Sequence, residues 1–257
     1  MVEFLKNGSS SGAGPVADDA QTPSSGEAHP FAALELAFER SRALDAPLNA
    51  RMEVIAEAVR ELSAQFAEAV DAFVARLKLA NAGVAAPGPG EPMPDFLLPD
   101  DEGRLIGLSE LLASGPLVIA FHRGHWCPYC RLNAFALARF EPELAPARLV
   151  AITPELQKHA RALKAEADAS FPILSDMDNG FALSLNLAIW VDDQMAALID
   201  AAGWNIPTYN GASSWMLPIP ATFVVGSDGI IVARDIDPDY RRRMDLDELR
   251  AAVRRAR

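Results

Sequence analysis

Apolar residues recur every three or four positions between Phe31 and Asn81. Phe31, Leu34 and Phe38 come first, and Asp45 and Pro47 mark a break. Leu48, Met52, Ile55, Val59, Leu62, Phe66, Val70, Phe73 and Leu77 follow. That spacing gathers them on one face of a helix, so the segment is predicted helical, with Gly83 as its stop signal. The repeat is not strict enough for a coiled coil. A stripe this long needs a cover, either the rest of the same chain or a second copy of it. Beyond Ala85-Ala86-Pro87-Gly88-Pro89-Gly90-Glu91-Pro92, a linker by composition, the pattern changes. Short apolar, β-rich runs now alternate with helical ones. The runs at 116–121, 148–152, 171–174, 221–225 and 230–233 read as strands. Residues 108–112, 131–140, 154–169, 181–187 and 246–257 read as helices. Turn cues stand at Asp101-Glu102-Gly103 and Asn210-Gly211, and Ser227-Asp228-Gly229 makes the last two strands a hairpin. No period emerges from Trp190 to Trp215. The alternation predicts an α/β fold, a sheet with helices on both faces.

Length and composition refine this. The 257 residues divide into a tail at 1–30, rich in Gly, Ser and Pro and predicted disordered, a helical extension at 31–83, and a main domain at 91–257. A net charge of -12 argues against nucleic acid, whose phosphates need a basic surface. Nothing reads as a signal peptide or a membrane span, so the expected compartment is the cytoplasm, with no membrane partner.

The chain holds two cysteines, Cys127 and Cys130, and both belong to one Cys-x-x-Cys. No disulfide framework can exist elsewhere, and the pair reads as a redox dithiol. It sits where a strand ends and a helix begins, in Phe121-His122-Arg123-Gly124-His125-Trp126-Cys127-Pro128-Tyr129-Cys130. Pro128 suits the first helical turn, where its missing N–H costs nothing. Unpaired N–H groups and the positive end of the helix dipole favour a thiolate there, which points to Cys127 as the attacking sulfur and Cys130 as its resolving partner. Arg123 and His125 stand close enough to tune it, and Trp126 and Tyr129 read as site walls. A rival reading takes His122, His125, Cys127 and Cys130 as zinc ligands, but a strand alternates its faces and His122 then diverges. No metal or other cofactor is expected. Arg241-Arg242-Arg243 reads as a solvated face beside Asp235, Asp237 and Asp239.

The ordered set Pro94-Asp95-Phe96, Arg123 to Cys130, Phe171-Pro172-Ile173-Leu174-Ser175-Asp176, Pro218-Ile219-Pro220-Ala221-Thr222-Phe223-Val224-Val225 and Asp237-Pro238-Asp239-Tyr240 resembles the peroxiredoxin-like branch of the alkyl hydroperoxide reductase/thiol-specific antioxidant family. The resemblance implies a thioredoxin-like fold with a central mixed sheet, with Pro220 as a cis-proline facing the cysteines. It implies reduction of a hydroperoxide or disulfide substrate, recycling by a thiol reductant such as a thioredoxin or glutathione system, and a homodimer as a candidate assembly. On the family's Pro-x-x-x-Thr-x-x-Cys pattern, Cys130 takes the peroxidatic place, Cys127 replaces the threonine and Arg123 the proline. Family logic therefore reverses the roles that the helix start suggests. The family also uses an arginine at the thiolate. None lies between Lys164 and Arg234, which leaves Arg123 or Arg234 for that place.

Overall fold

A computed structural model describes residues 30–256. The tail read at 1–30 lies outside the described residues except for Pro30. The helical stripe forms α1 (Pro30–Ala43), α2 (Leu48–Leu62) and α3 (Ala64–Leu79). The pattern is continuous from Leu48 to Leu77, yet the helix breaks at Ser63. This residue is extended (φ -155°), and its hydroxyl accepts from the Phe66 N–H at 3.1 Å, an N-cap that starts α3 afresh.

Strands β1 (Leu97–Pro99) and β2 (Leu105–Gly107) form a small antiparallel hairpin around the turn at Asp101-Glu102-Gly103. Helix α4 (Leu108–Leu112) leads into β3 (Leu117–Phe121), then α5 (Pro128–Leu144), β4 (Arg148–Thr153), α6 (Gln157–Ala167) and β5 (Ile173–Ser175). Helix α7 (Gly180–Ser184) falls in the run read as helical at 181–187, and β6 (Ala188–Trp190) follows it; the segment without period holds α8 (Asp193–Ala201) and α9 (Ile206–Asn210), and β7 (Met216–Pro218) comes next. In that segment Asn210-Gly211 ends a helix, with Gly211 left-handed at φ 66°. The chain continues through β8 (Ala221–Val225), β9 (Ile231–Ile236) and α10 (Leu246–Arg255).

The central sheet runs β5-β4-β3-β8-β9, with β3, β4 and β5 parallel and β8 and β9 antiparallel to their neighbours. This is the mixed sheet of a thioredoxin-like fold preceded by helices. Alternate residues of β3 face opposite layers, as strand geometry requires. Val118 and Ala120 pack with α5, α6 and α10, whereas Leu117, Ile119 and Phe121 pack with the β1–β2 hairpin, α4 and α7. The linker is ordered along the edge of the sheet. The Gly90 N–H donates to the Ile231 carbonyl at 2.9 Å, and the Ile231 N–H donates to Glu91 at 2.9 Å, which covers the free side of β9. Arg234 spends its guanidinium on the linker carbonyls of Val84, Ala86 and Pro87 and does not reach the cysteines.

The apolar stripe of α1–α3 is covered from within the chain. Phe38, Met52, Ile55, Val70 and Phe73 pack with Leu132 and Ala136 on the outer side of α5 and with Met195 and Ile199 of α8. Helix α5 is therefore buried on both sides, between the sheet and a helical roof. No helix among the described residues is long and apolar enough to cross a membrane.

The roof rests on close packing around a fully buried Ile55. Ile55→Ala should lower the unfolding free energy by about 2–5 kcal/mol in urea titrations, the range for large-to-small core changes. A loss below about 0.5 kcal/mol would mean that the roof does not fold cooperatively with the sheet.

Candidate active site

Strands β3 and β4 are parallel, so the segments that follow them meet at one edge of the sheet. From β3 comes the loop His122 to Trp126, and from β4 comes Glu155. Cys127 is the N-cap of α5 and Pro128 its first helical residue, as the sequence predicts. Cys130 lies one turn in. Both are free thiols and both are buried, Cys127 at 1% and Cys130 at 0% exposure.

Their environments differ in the direction opposite to the helix-start expectation. The Arg123 backbone N–H and the Arg243 guanidinium Nη2 each lie 3.3 Å from Cys130 Sγ and donate to it. Burial alone would push the Cys130 thiol up. The hydrogen bond from Cys127 and the charges of Arg243 and Arg123 outweigh burial and hold it well below the ordinary thiol range. Cys127 is pushed well above that range, first by burial and then by the proton it shares with Cys130 and by the charge on that sulfur. The surroundings thus favour the thiolate on Cys130 and the thiol on Cys127.

Arg243 corrects the reading of Arg241-Arg242-Arg243 as a solvated face. Arg242 does face solvent, but Arg243 is 5% exposed and Arg241 bonds Asp239 and Asp71. The Arg243 Nη1 donates to the carbonyls of Tyr240 and Arg242, both at 2.6 Å, which leaves Nη2 for the sulfur. The charge triplet carried no periodic signal. What could have pointed to it is the shortage of other cations for a buried thiolate. Arg123 lies with its guanidinium 3.8 Å from the Tyr240 ring centroid and 4.9 Å from that of Trp126, a cation between two aromatic faces. His122 is fully buried. Its Nε2 accepts from Asn133 Nδ2 at 2.8 Å, and burial lowers its pKa to about 4, so it is a neutral imidazole with the proton on Nδ1. It is separated in role from His125, whose Nε2 pairs with Glu166 at 2.8 Å. Arg131 bridges that same Glu166 to Glu35 of α1, bonding Glu35 at 2.5 and 2.9 Å. Burial raises the Glu166 carboxyl, but bonds from His125 and Arg131 win and hold it at about 2. Among the described residues, no three His, Cys, Asp or Glu side chains converge as a metal set.

Pro220 departs from expectation. The cis peptide bond among the described residues is Ala145–Pro146, and Ile219–Pro220 is trans. Ile219 donates its N–H to Leu187 at 2.8 Å, and Ala221 pairs with Phe121. The proline is buried at the sheet edge but does not line the cavity described below.

Glu155 was not singled out in the sequence, where Pro154-Glu155 reads as a helix start. It is fully buried, its Oε2 accepts from the His125 N–H at 2.6 Å, and its Oε1 has no protein partner. Burial raises its pKa to about 8 despite that bond, and the Cys130 charge adds to the rise. Gly124 makes the close approach feasible. It sits at φ +145°, and a Cβ there would lie 2.5 Å from Glu155 Cδ and 2.6 Å from Trp126 Nε1.

A narrow apolar cavity of about 40 Å³ opens on this site. Cys127, Arg123, Trp126 and Tyr240 form its floor, and Ala56, Phe66 and Val70 of the roof cover it. Cys127, and not Cys130, faces it.

A thioredoxin-like fold with two buried cysteines at the start of α5 defines a peroxiredoxin-like thiol oxidoreductase. Residues 89–234 match the AhpC/TSA family, and the chain belongs to it. Solved structures share the fold at low identity. Peroxidoxin BcpB from Mycobacterium tuberculosis is 22% identical, with a TM-score of 0.52 over 66% of this chain and 98% of that one. A mutant of the peroxiredoxin 6 of Arenicola marina is 14% identical, with a TM-score of 0.51 over 65% of this chain and 71% of that one. No curated protein matches the chain. The family match leaves out α1–α3 and ends before Arg243.

Because the folded-state pKa of Glu155 lies near 8 and its unfolded value near 4.5, the fold favours the neutral acid. Stability from this group is complete at low pH and is lost by about 1.4 kcal/mol per pH unit as pH rises through that window. Glu155→Gln should remove this dependence. In urea unfolding of the reduced protein, the variant should gain on the wild type steadily between about pH 5 and pH 8. A constant difference across that range would show that Glu155 ionises normally.

Proposed function

We propose that this chain is a dithiol peroxidase in which Cys130 is the nucleophile and Cys127 the resolving thiol. The observation that carries the reading is the pair of donors on one sulfur, the Arg243 guanidinium and the Arg123 N–H, both 3.3 Å from Cys130 Sγ. This roughly doubles the donor strength that a neutral contact would supply, because one donor is charged.

The Cys130 thiolate attacks the distal oxygen of a hydroperoxide. The O–O bond breaks, the distal OH stays on the sulfur as a Cys130 sulfenic acid, and the alkoxide or hydroxide leaves and takes a proton from solvent to become the alcohol or water. The Cys127 thiol then attacks that sulfur. The S–O bond breaks, water leaves carrying the Cys127 proton, and a Cys127–Cys130 disulfide remains. An external thiol reductant restores the dithiol. Its thiolate reaches Cys127, the sulfur that lines the cavity, and expels Cys130, whose low pKa makes it the better leaving group. Oxidant and reductant therefore use different sulfurs. Glu155 is placed to take or return a proton near Cys130 as the charge comes and goes.

A second reading has a specific observation of its own. Cys127 faces the cavity, which favours a dithiol–disulfide reductase that meets its substrate at Cys127 without peroxide chemistry. The two separate on single-cysteine variants. With hydroperoxide, Cys130→Ser should lose all peroxide consumption, whereas Cys127→Ser should complete one turnover and hold a sulfenic acid that dimedone labels on Cys130. Dimedone label on Cys127, or none in either variant, would favour the reductase reading. Arg243→Met should slow peroxide consumption about 10- to 100-fold, the equivalent of a charge-assisted bond worth about 1.5–3 kcal/mol. Stopped-flow kinetics at fixed pH measures it.

A further inference from the structure

Arg243 lies on an irregular stretch between β9 and α10, from Asp237 to Asp245, where no sheet or helix bonds fix the backbone. A guanidinium carried on such a stretch points at a sulfur 3.3 Å away only if something else holds the chain. Within the stretch Asp239 bonds Arg241, and the Tyr240 and Arg242 carbonyls take the Arg243 Nη1; the groups that tie it to the rest of the fold come from the helical extension. Asn49 of α2 grips the Arg243 backbone from both sides: its Oδ1 accepts from the Arg243 N–H at 2.9 Å, and its Nδ2 donates to the Arg243 carbonyl at 2.8 Å. Asp71 of α3 bonds Arg241 at 2.7 Å, two residues earlier. The paired bonds to a single residue's N–H and C=O fix position and rotation together, as one strand fixes its neighbour. Asn49 in turn is held at the start of a helix whose Leu48 and Met52 are in the core.

We propose that Asn49 is a positioning residue for the redox chemistry: by clamping Arg243 onto Cys130, it makes the helical extension a working part of the site. This rests on Cys130 being the reactive thiolate. It explains why a segment outside the family match is packed so closely on α5. The extension supplies the hold for the activating cation, and the sheet supplies the sulfur.

The test is the pH titration of the Cys130 thiolate by its ultraviolet absorbance, in full-length protein carrying Cys127→Ser so that one thiol reports. The wild-type pairing should titrate well below an ordinary thiol. Asn49→Ala should move the midpoint up by about one pH unit or more, matching a tenfold or greater loss of thiolate at fixed pH. Asn49→Ser, smaller but still polar, gives a second point should the alanine variant fold poorly. Ile55→Ala, a core truncation on the same helix that removes no bond to Arg243, is the control for general loosening. A shift in the Asn49 variants no larger than in Ile55→Ala would overturn the inference and leave the Cys130 assignment standing. An ordinary midpoint in the Cys127→Ser protein itself would overturn both. A larger shift in the Asn49 variants than in the control supports the clamp.

Discussion

A full negative charge on a sulfur with no exposed surface is costly unless fixed donors replace the water it has lost. Around Cys130 those donors are a guanidinium, a backbone N–H and a neighbouring thiol. Much of the architecture follows from this one requirement. The β3–α5 junction aims the Arg123 N–H, the Cys-x-x-Cys spacing brings the second thiol to the first, and the stretch after β9 brings the cation. The helix dipole, which alone would favour Cys127, is overruled by a full charge at contact distance.

Several other polar groups near the dithiol are buried without a protein partner, among them His122 Nδ1, Arg123 Nε, Trp126 Nε1, Glu155 Oε1 and Arg243 Nε. In a folded interior such atoms are few and each costs stability. Their gathering at one sheet edge marks where the fold gives up stability for a site that must accept changing charge. The surrounding restraints are strong. Arg131 ties α1, α5 and α6 through Glu35 and Glu166, one residue beyond Cys130, and Gly124 allows the loop to lie on Glu155.

The strands and helices were legible because burial imposes periods of two or 3.6 on the sequence, and β3, the β8–β9 hairpin and α1–α3 all show them. Cys127, Cys130, Arg123, Trp126 and Pro128 were legible because they share ten consecutive residues; His125, from the same stretch, turns its ring to Glu166. Arg243, Glu155 and Asn49 were not. Each reaches the site across the fold, and each has an ordinary local setting: an arginine run, a Glu after a strand, an Asn at a helix start. The break at Ser63 was hidden because a one-residue interruption hardly disturbs the apolar stripe. Pro220 misled because a proline before a strand does not itself reveal its isomer.

The separation of 113 positions between Cys130 and Arg243 has a consequence for the making of the molecule. During synthesis the dithiol emerges long before the cation that activates it. Until that later stretch has joined the fold, Cys130 lacks the guanidinium and has no reason to depart from an ordinary, mostly protonated thiol. A nascent or misfolded chain thus presents an ordinary thiol, and only the finished one presents a sulfur with a guanidinium against it. The same distance in sequence that hid Arg243 from a local reading keeps the sulfur quiet until folding is complete.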